Sequence, residues 1–119
     1  MKKVTREYTL DILRNHRSVT SLDEIPELST WDVSEITDFS MFFNCNKTLK
    51  DIKALSHWNV SKGSGFYFMF HSYNVLDNLL ELVNWTVPKN LDVNYMFGVN
   101  RYPREPQIEW LNKNIKRHD

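Results

Sequence analysis

A lone cysteine, four histidines, a run of carboxylates and four tryptophans are the side chains of this 119-residue chain with chemistry to offer. Cys45 would be a nucleophile only as a thiolate, which near neutral pH needs a neighbouring base or positive charge. The candidate bases, His16, His57, His71 and His118, show no H-x-x-x-H or H-E-x-x-H spacing, and one cysteine makes no metal cluster. Gly63, Ser64 and Gly65 have the small residues of a phosphate cradle but lack the lysine and the serine or threonine that follow in a P-loop. Asp32 and Glu35 are an acid and base pair only as any two nearby carboxylates are. No catalytic, cofactor-binding or metal-binding residue is assigned, and the chain is expected not to be an enzyme.

The elements that would position these groups emerge from a repeat. Steps of 27 residues join Trp31 to Trp58 and Trp85, Val33 to Val60 and Val87, and Leu28 to Leu55 and Leu82. The same step joins Ile25 to Ile52 and Leu79, Leu22 to Leu49 and Leu76, and Phe43 to Phe70 and Phe97. The pairs before the last column agree in kind: Met41 and Phe42, Phe68 and Met69, Tyr95 and Met96. Apolar residues at fixed register with changing polar residues between them are what stacked coils require, because no single repeat can bury its own apolar face. Cys45 shares its place with Ser72 and Val99, and so reads as a packing slot. Asp32 shares its place with Asn59 and Thr86, so no paired acid recurs.

Within one repeat, Leu28, Trp31 and Val33 have the L-x-x-L-x-L spacing of a leucine-rich repeat, and Trp31 and Val33 suit the inward side of a short strand. Thr37 or Asp38 is then expected to cap a helical turn carrying Phe39, Phe42 and Phe43. The segments WDVSEITDFSMFFNC, WNVSKGSGFYFMF and WTVPKNLDVNYMF resemble the W-D-x-S-x-V-T-x-M-x-x-M-F-x-x-C repeat of bacterial surface proteins of the BspA-like leucine-rich repeat type, also called DUF285. The resemblance covers roughly residues 19 to 100. Gly63 stands opposite Ile36 in the second copy, and Pro88 replaces Ser34 and Ser61 in the third. What the resemblance implies is a right-handed solenoid and a binding role, with no catalytic residues to carry over.

Both flanks read as caps. Thr5 can begin a helix with Tyr8, Ile12 and Leu13 on one face. Pro106 suits the first turn of a second helix, with Ile108, Leu111 and Ile115 as its stripe and Lys116 and Arg117 at its C-terminus. The expected architecture is α/β: a short right-handed leucine-rich-repeat-like solenoid of about three 27-residue coils in a single domain. Residues 1–18 form the N-terminal helical cap, 19–102 the repeats and 103–119 the C-terminal helical cap.

Fifteen Lys and Arg balance fifteen Asp and Glu, so the whole chain has no strong pull on nucleic acid or an anionic membrane. The first residues are too interrupted by charge for a signal peptide, and a cytoplasmic location is expected. Trp31, Trp58 and Trp85 are expected in the core rather than stacked on bases, and Trp110 in the core of the second cap.

What remains is the outward row of the strands: Thr30, Asp32 and Glu35, then His57 and Asn59, then Asn84 and Thr86. Three rungs at about 4.8 Å make a strip about 15 Å wide, so binding would also recruit loops or caps. The acidic run Asp23, Glu24, Glu27, Asp32, Glu35 and Asp38 at its edge would steer a basic protein, such as a nuclease or nucleic-acid-binding protein. The expected function is non-enzymatic protein–protein interaction, as a small intracellular inhibitor of the kind an immunity protein or a phage-encoded anti-defence protein would be. A surface or adhesion module, and a nucleic-acid binder using the basic C-terminal helix, are the alternatives. The oligomeric state is left open.

Overall fold

The first residues turn straight into a rung of sheet. Lys2–Lys3 (β1) pairs in parallel with Trp31–Asp32 (β2), Lys2 opposite Trp31, and Val4 N donates to Asp32 O. This computed structural model describes residues 1–70, 76, 78–97 and 105–118. His71, Ser72 and Val99 lie outside the described residues. Helix α1 follows at Arg6–Arg14, with the Thr5 hydroxyl accepting from Tyr8 N at its N-cap, the local reason it starts there. Its inner face is set by Leu10 and Leu13 together with Thr9, whose buried hydroxyl is satisfied by Thr5 O; Tyr8 and Ile12 are only partly buried beside them.

The other end mirrors this one. Thr86–Val87 (β3) pairs in parallel with Lys116–Arg117 (β4), after helix α2 at Glu105–Asn114. Ile108, Leu111 and Ile115 are buried. Lys116 and Arg117 are therefore strand residues and not the last helical turn, a correction to the sequence reading. The Arg117 guanidinium donates to Pro88 O, Lys89 O and Leu91 O, and to Asn112 O and Oδ1. At the first end Arg6 does the equivalent work, donating to Asp38 O and Ser40 O at 2.8 Å each. An arginine fork at each edge thus satisfies carbonyls that have no further coil to receive them.

Between the ends the six columns are buried in all eighteen positions. Three short 3-10 helices, Pro26–Thr30, Lys53–His57 and Leu80–Leu82, precede Trp31, Trp58 and Trp85. Parallel bridges join Asp38 to Gly65 and Phe43 to Phe70, each 27 residues apart. The rings stack along the same step: Phe39 on Phe66 at 5.4 Å, Phe43 on Phe70 at 5.4 Å, and Phe70 on Phe97 at 5.5 Å. Such pairs contribute about 0.5–1.5 kcal/mol each beyond the area they bury.

Corners are built by side chains that accept from the amide two residues on. Asp32 does so to Ser34, and Asn59 to Ser61; Asp38 to Ser40, and Asp92 to Asn94; Asp51 to Lys53, and Asn78 to Leu80. This Asx turn is the mechanism by which Asp and Asn favour bends. Pro88 has no N–H, which is why the third coil holds Thr86 without such a bond. Ser61 O, the register neighbour of Pro88, accepts from His118 Nε2 at 2.8 Å instead.

Two local expectations are corrected. The segment from Thr37 to Asn44 is not helical: bridges at Asp38 and Phe43 flank a turn over residues 40–42, and Met41 at its centre has a φ of 66°, which stops a helix. A 3-10 helix does form in the third copy, Val93–Met96, where Asp92 caps it. The register also slips at one corner, where Ser21 pairs with Asp51, a step of 30 rather than 27. The cause is an extra 3-10 turn in the first coil, Leu22–Glu24, held by a capping box between Ser21 and Glu24. Beside Gly63, which stands opposite Ile36, the Phe39 and Phe66 rings fill the space; a Cβ on Gly63 would sit 2.6 Å from Phe66 Cζ.

Candidate functional site

Each residue of the outward row can now be placed. Thr30, Glu35, His57, Asn59 and Asn84 are exposed, and Asp32 and Thr86 are half-buried. Asp32 and Asn59 aim their oxygens into Asx turns, which explains their identity without a ligand. Hydrogen bonds from the Ser34 hydroxyl and amide hold the Asp32 carboxyl below the usual aspartate range. Glu35 is held low by Lys62, whose Nζ lies 2.7 Å from its Oε2, with Lys3 Nζ 3.9 Å from Oε1. His57 and Asn84 make no side-chain hydrogen bond among the described residues, which leaves both free for a partner.

The row is longer than its three tryptophan rungs. Lys3 stands opposite Asp32, and Lys116 opposite Thr86, so the chain termini add one rung at each end. The two pairs are separate two-stranded sheets, and among the described residues no bridge joins Asn59 to either; stacked at strand spacing, five rungs would make a strip about 24 Å long. Its coils are tied at the adjoining corner, where Ser64 N and Gly65 N donate to Thr37 O. Those amides are therefore committed, and the Gly63-Ser64-Gly65 bend has none of them turned out toward a phosphate.

The acidic edge changes character in three dimensions. Glu24 accepts from Thr20 N and Ser21 N, which lower its pKa from the usual value. Glu27 Oε1 accepts from Tyr8 OH and from Trp31 Nε1. Partial burial works to raise the Asp38 pKa, but the Ser40 amide and hydroxyl, with Arg6 3.5 Å away, hold it below the ordinary range. Five of the six carboxylates are thus engaged inside the fold, and Asp23 alone makes no side-chain hydrogen bond or ion pair among the described residues. A basic partner would have to compete with these contacts.

Two further residues sit differently from expectation. Cys45 is exposed, not a packing slot, because Asn46 turns inward in its place. Asn46 Nδ2 donates to Val19 O, and its Oδ1 accepts from Thr48 N. Trp110 is 42 % exposed rather than core, and with Leu79, Leu80 and Pro106 lines an open groove. Among the described residues no three His, Cys, Asp or Glu side chains come together as metal ligands, and no helix is long and apolar enough to cross a membrane.

The sequence reading passed over Met41, Tyr67 and Tyr95 as surface residues, with Phe68 half-buried among them. Met41 is 43 %, Tyr67 50 % and Tyr95 59 % exposed, while their neighbours Phe42, Met69 and Met96 are core. The signal was present, since Met41, Phe68 and Tyr95 are 27 residues apart, but an apolar column was read as an inward one.

A family model described as "Mycoplasma protein of unknown function, DUF285" matches residues 13–119. No curated protein and no solved structure matches the chain.

Proposed function

The chain belongs to the DUF285 family, and we propose that it is a non-catalytic protein-binding module: a leucine-rich-repeat-like solenoid of about three 27-residue coils between helical caps, whose outward strand row meets a protein partner. The row of Thr30, Asp32 and Glu35, His57 and Asn59, and Asn84 and Thr86 is the binding face in this reading. The observation that supports it is the pairing of β1 with the first tryptophan rung and of β4 with the last, which at strand spacing would lengthen a 15 Å strip to about 24 Å. A stable interface takes about 800 Å² from each partner, so neighbouring loops contribute the remainder. The biological role that best fits is a small inhibitor acting inside the cell, which neutralises a protein by covering it.

The test is affinity isolation with the full chain against a double variant, His57→Glu with Asn84→Arg. Neither side chain has a hydrogen bond to lose among the described residues, so the fold should be retained. A protein partner retained by the parent chain and lost by the variant supports the reading. A partner retained equally by both, or a nucleic acid in its place, refutes it.

A further inference from the structure

Four lysines, Lys3, Lys62, Lys89 and Lys116, stand along the outward row and the corner beside it. Lys3 pairs with Asp32 at one end, and Lys116 with Thr86 at the other. At the corner that follows each tryptophan, Glu35, Lys62 and Lys89 share one register place, 27 residues apart. Contacts in the fold hold them together. Glu35 lies between Lys62 at 2.7 Å and Lys3 at 3.9 Å. Ser61 O, next to Lys62, accepts from His118 Nε2, and Lys89 O accepts from the Arg117 guanidinium, so the end of β4 ties the second and third corners to one another.

The charge on this side does not cancel. Its acids are Asp32 and Glu35, and both are committed: Asp32 is turned into its Asx bend, and the single charge of Glu35 is shared by two lysines. Asp92 in the third coil accepts from Asn94 N and Nδ2. Lys89 and Lys116 are exposed and make no side-chain hydrogen bond or ion pair among the described residues. Asn84 and Thr86 on their part of the row are uncharged. The opposite corner of the stack differs, because there Arg14 and Arg17 share a cleft with Glu24, which offsets them.

We propose that the strand row takes an acidic partner, a protein segment rich in Asp and Glu whose carboxylates meet Lys89 and Lys116. The proposal rests on the row as the binding face and names what that face takes. The excess charge is opposite in sign to the acidic run read from the sequence. Complementary charge of this kind speeds encounter and rejects partners of the wrong sign. A protein fits better than a nucleic acid. Asp32 and Glu35 stand among the lysines and repel a phosphate backbone, and the tryptophans of the row are buried and offer no ring to a base. A protein surface can set its own lysine or arginine against those two acids.

Binding of three fluorescent probes to the full chain tests the proposal: a short oligo-glutamate peptide, a short oligo-lysine peptide and a short oligothymidylate. The oligo-glutamate should bind tightest, and should weaken at least about tenfold between low and physiological salt. Lys89→Glu with Lys116→Glu should weaken it at least about tenfold at either salt. Lys47→Glu with Lys50→Glu makes the same change of net charge at the opposite corner, where Lys50 N donates to Thr20 O, and should weaken it less than about twofold at physiological salt. All four substituted lysines are exposed and have no side-chain hydrogen bond to lose among the described residues, so both variants keep the fold. Failure of the oligo-glutamate to bind, tighter binding of the oligo-lysine or the oligothymidylate, or equal weakening by the two variants overturns the acidic partner. None of these outcomes removes the row itself, since a partner lost by His57→Glu with Asn84→Arg reports on the row alone.

Discussion

Trp58 and Trp85 occupy the same place in successive coils, yet their indoles end differently, and replacing each by phenylalanine should separate them. Trp85 is 2 % exposed and its Nε1 donates to Leu55 O at 2.8 Å. Trp58 is 6 % exposed, and its buried Nε1 has no hydrogen-bond partner among the described residues. Either Trp→Phe change removes about 40 Å³ of core, which at roughly 24 cal/mol per Å³ costs about 1 kcal/mol. At Trp85 a net hydrogen bond of about 1 kcal/mol is lost in addition. Leu55 O keeps the bond from Trp58 N, so no orphaned carbonyl adds to this. At Trp58 the change removes an unpaired buried donor that costs about 1–3 kcal/mol, which offsets or exceeds the cavity. Trp85→Phe should therefore destabilise by about 2 kcal/mol, while Trp58→Phe should be neutral or stabilising by about 1 kcal/mol. For a chain of this size that gap corresponds to roughly 8–12 °C in melting temperature. Thermal and urea unfolding followed by circular dichroism give both numbers. Equal losses at the two positions would refute the reasoning.

Gly63→Ala should cost about 1–3 kcal/mol by overpacking, because its Cβ would meet Phe66 and Phe39 rings that are themselves stacked; urea midpoints measure it, and an unchanged midpoint would contradict the close approach. Arg6→Ala should destabilise by about 2 kcal/mol, after allowing for the partial exposure of its guanidinium, and Arg6→Lys should recover only part of that because a point charge cannot span both carbonyls. Stability should also fall in acid. Glu24, Asp32, Glu35 and Asp38 all have carboxyls held below their ordinary values of 4.5 and 3.8, so the stability they contribute is present above those values and is lost as pH falls through the lower folded values. Melting temperatures flat from pH 7 to 5 and falling below about pH 4 are expected, and a curve that rises into acid would contradict the assignment.

Much of the core was legible because a periodic stack writes its inward positions at a constant step. The leucine, tryptophan, valine and phenylalanine columns are buried, and Thr5 and Pro106 mark the helix starts for local reasons that neither depends on the rest of the chain. The slip at Ser21 and Asp51 was not legible, since it depends on an added 3-10 turn that leaves the 27-residue spacing of leucines intact. Periodicity alone also fails to give the sign of a column. Met41, Phe68 and Tyr95 repeat as faithfully as Phe43, Phe70 and Phe97, yet Met41 and Tyr95 are exposed and Phe68 is half-buried. The acidic run looked like a surface for a partner because charge in a sequence carries no record of its hydrogen bonds. In the fold Glu24, Glu27 and Asp38 are spent on a cap, an indole and an arginine. The edge strands β1 and β4 were missed for a related reason: two-residue strands made of lysine and arginine have no apolar alternation to reveal them.

The central claim is that the outward strand row is where a protein is met, and a photo-crosslinking side chain tests it most directly. Placed at Asn84, exposed on the outward row, it should trap one protein partner in cells, whereas the same group at Asp11 on the exposed side of α1 should trap none. Equal crosslinking from Asp11, or crosslinks from Asn84 only to nucleic acid, would contradict it.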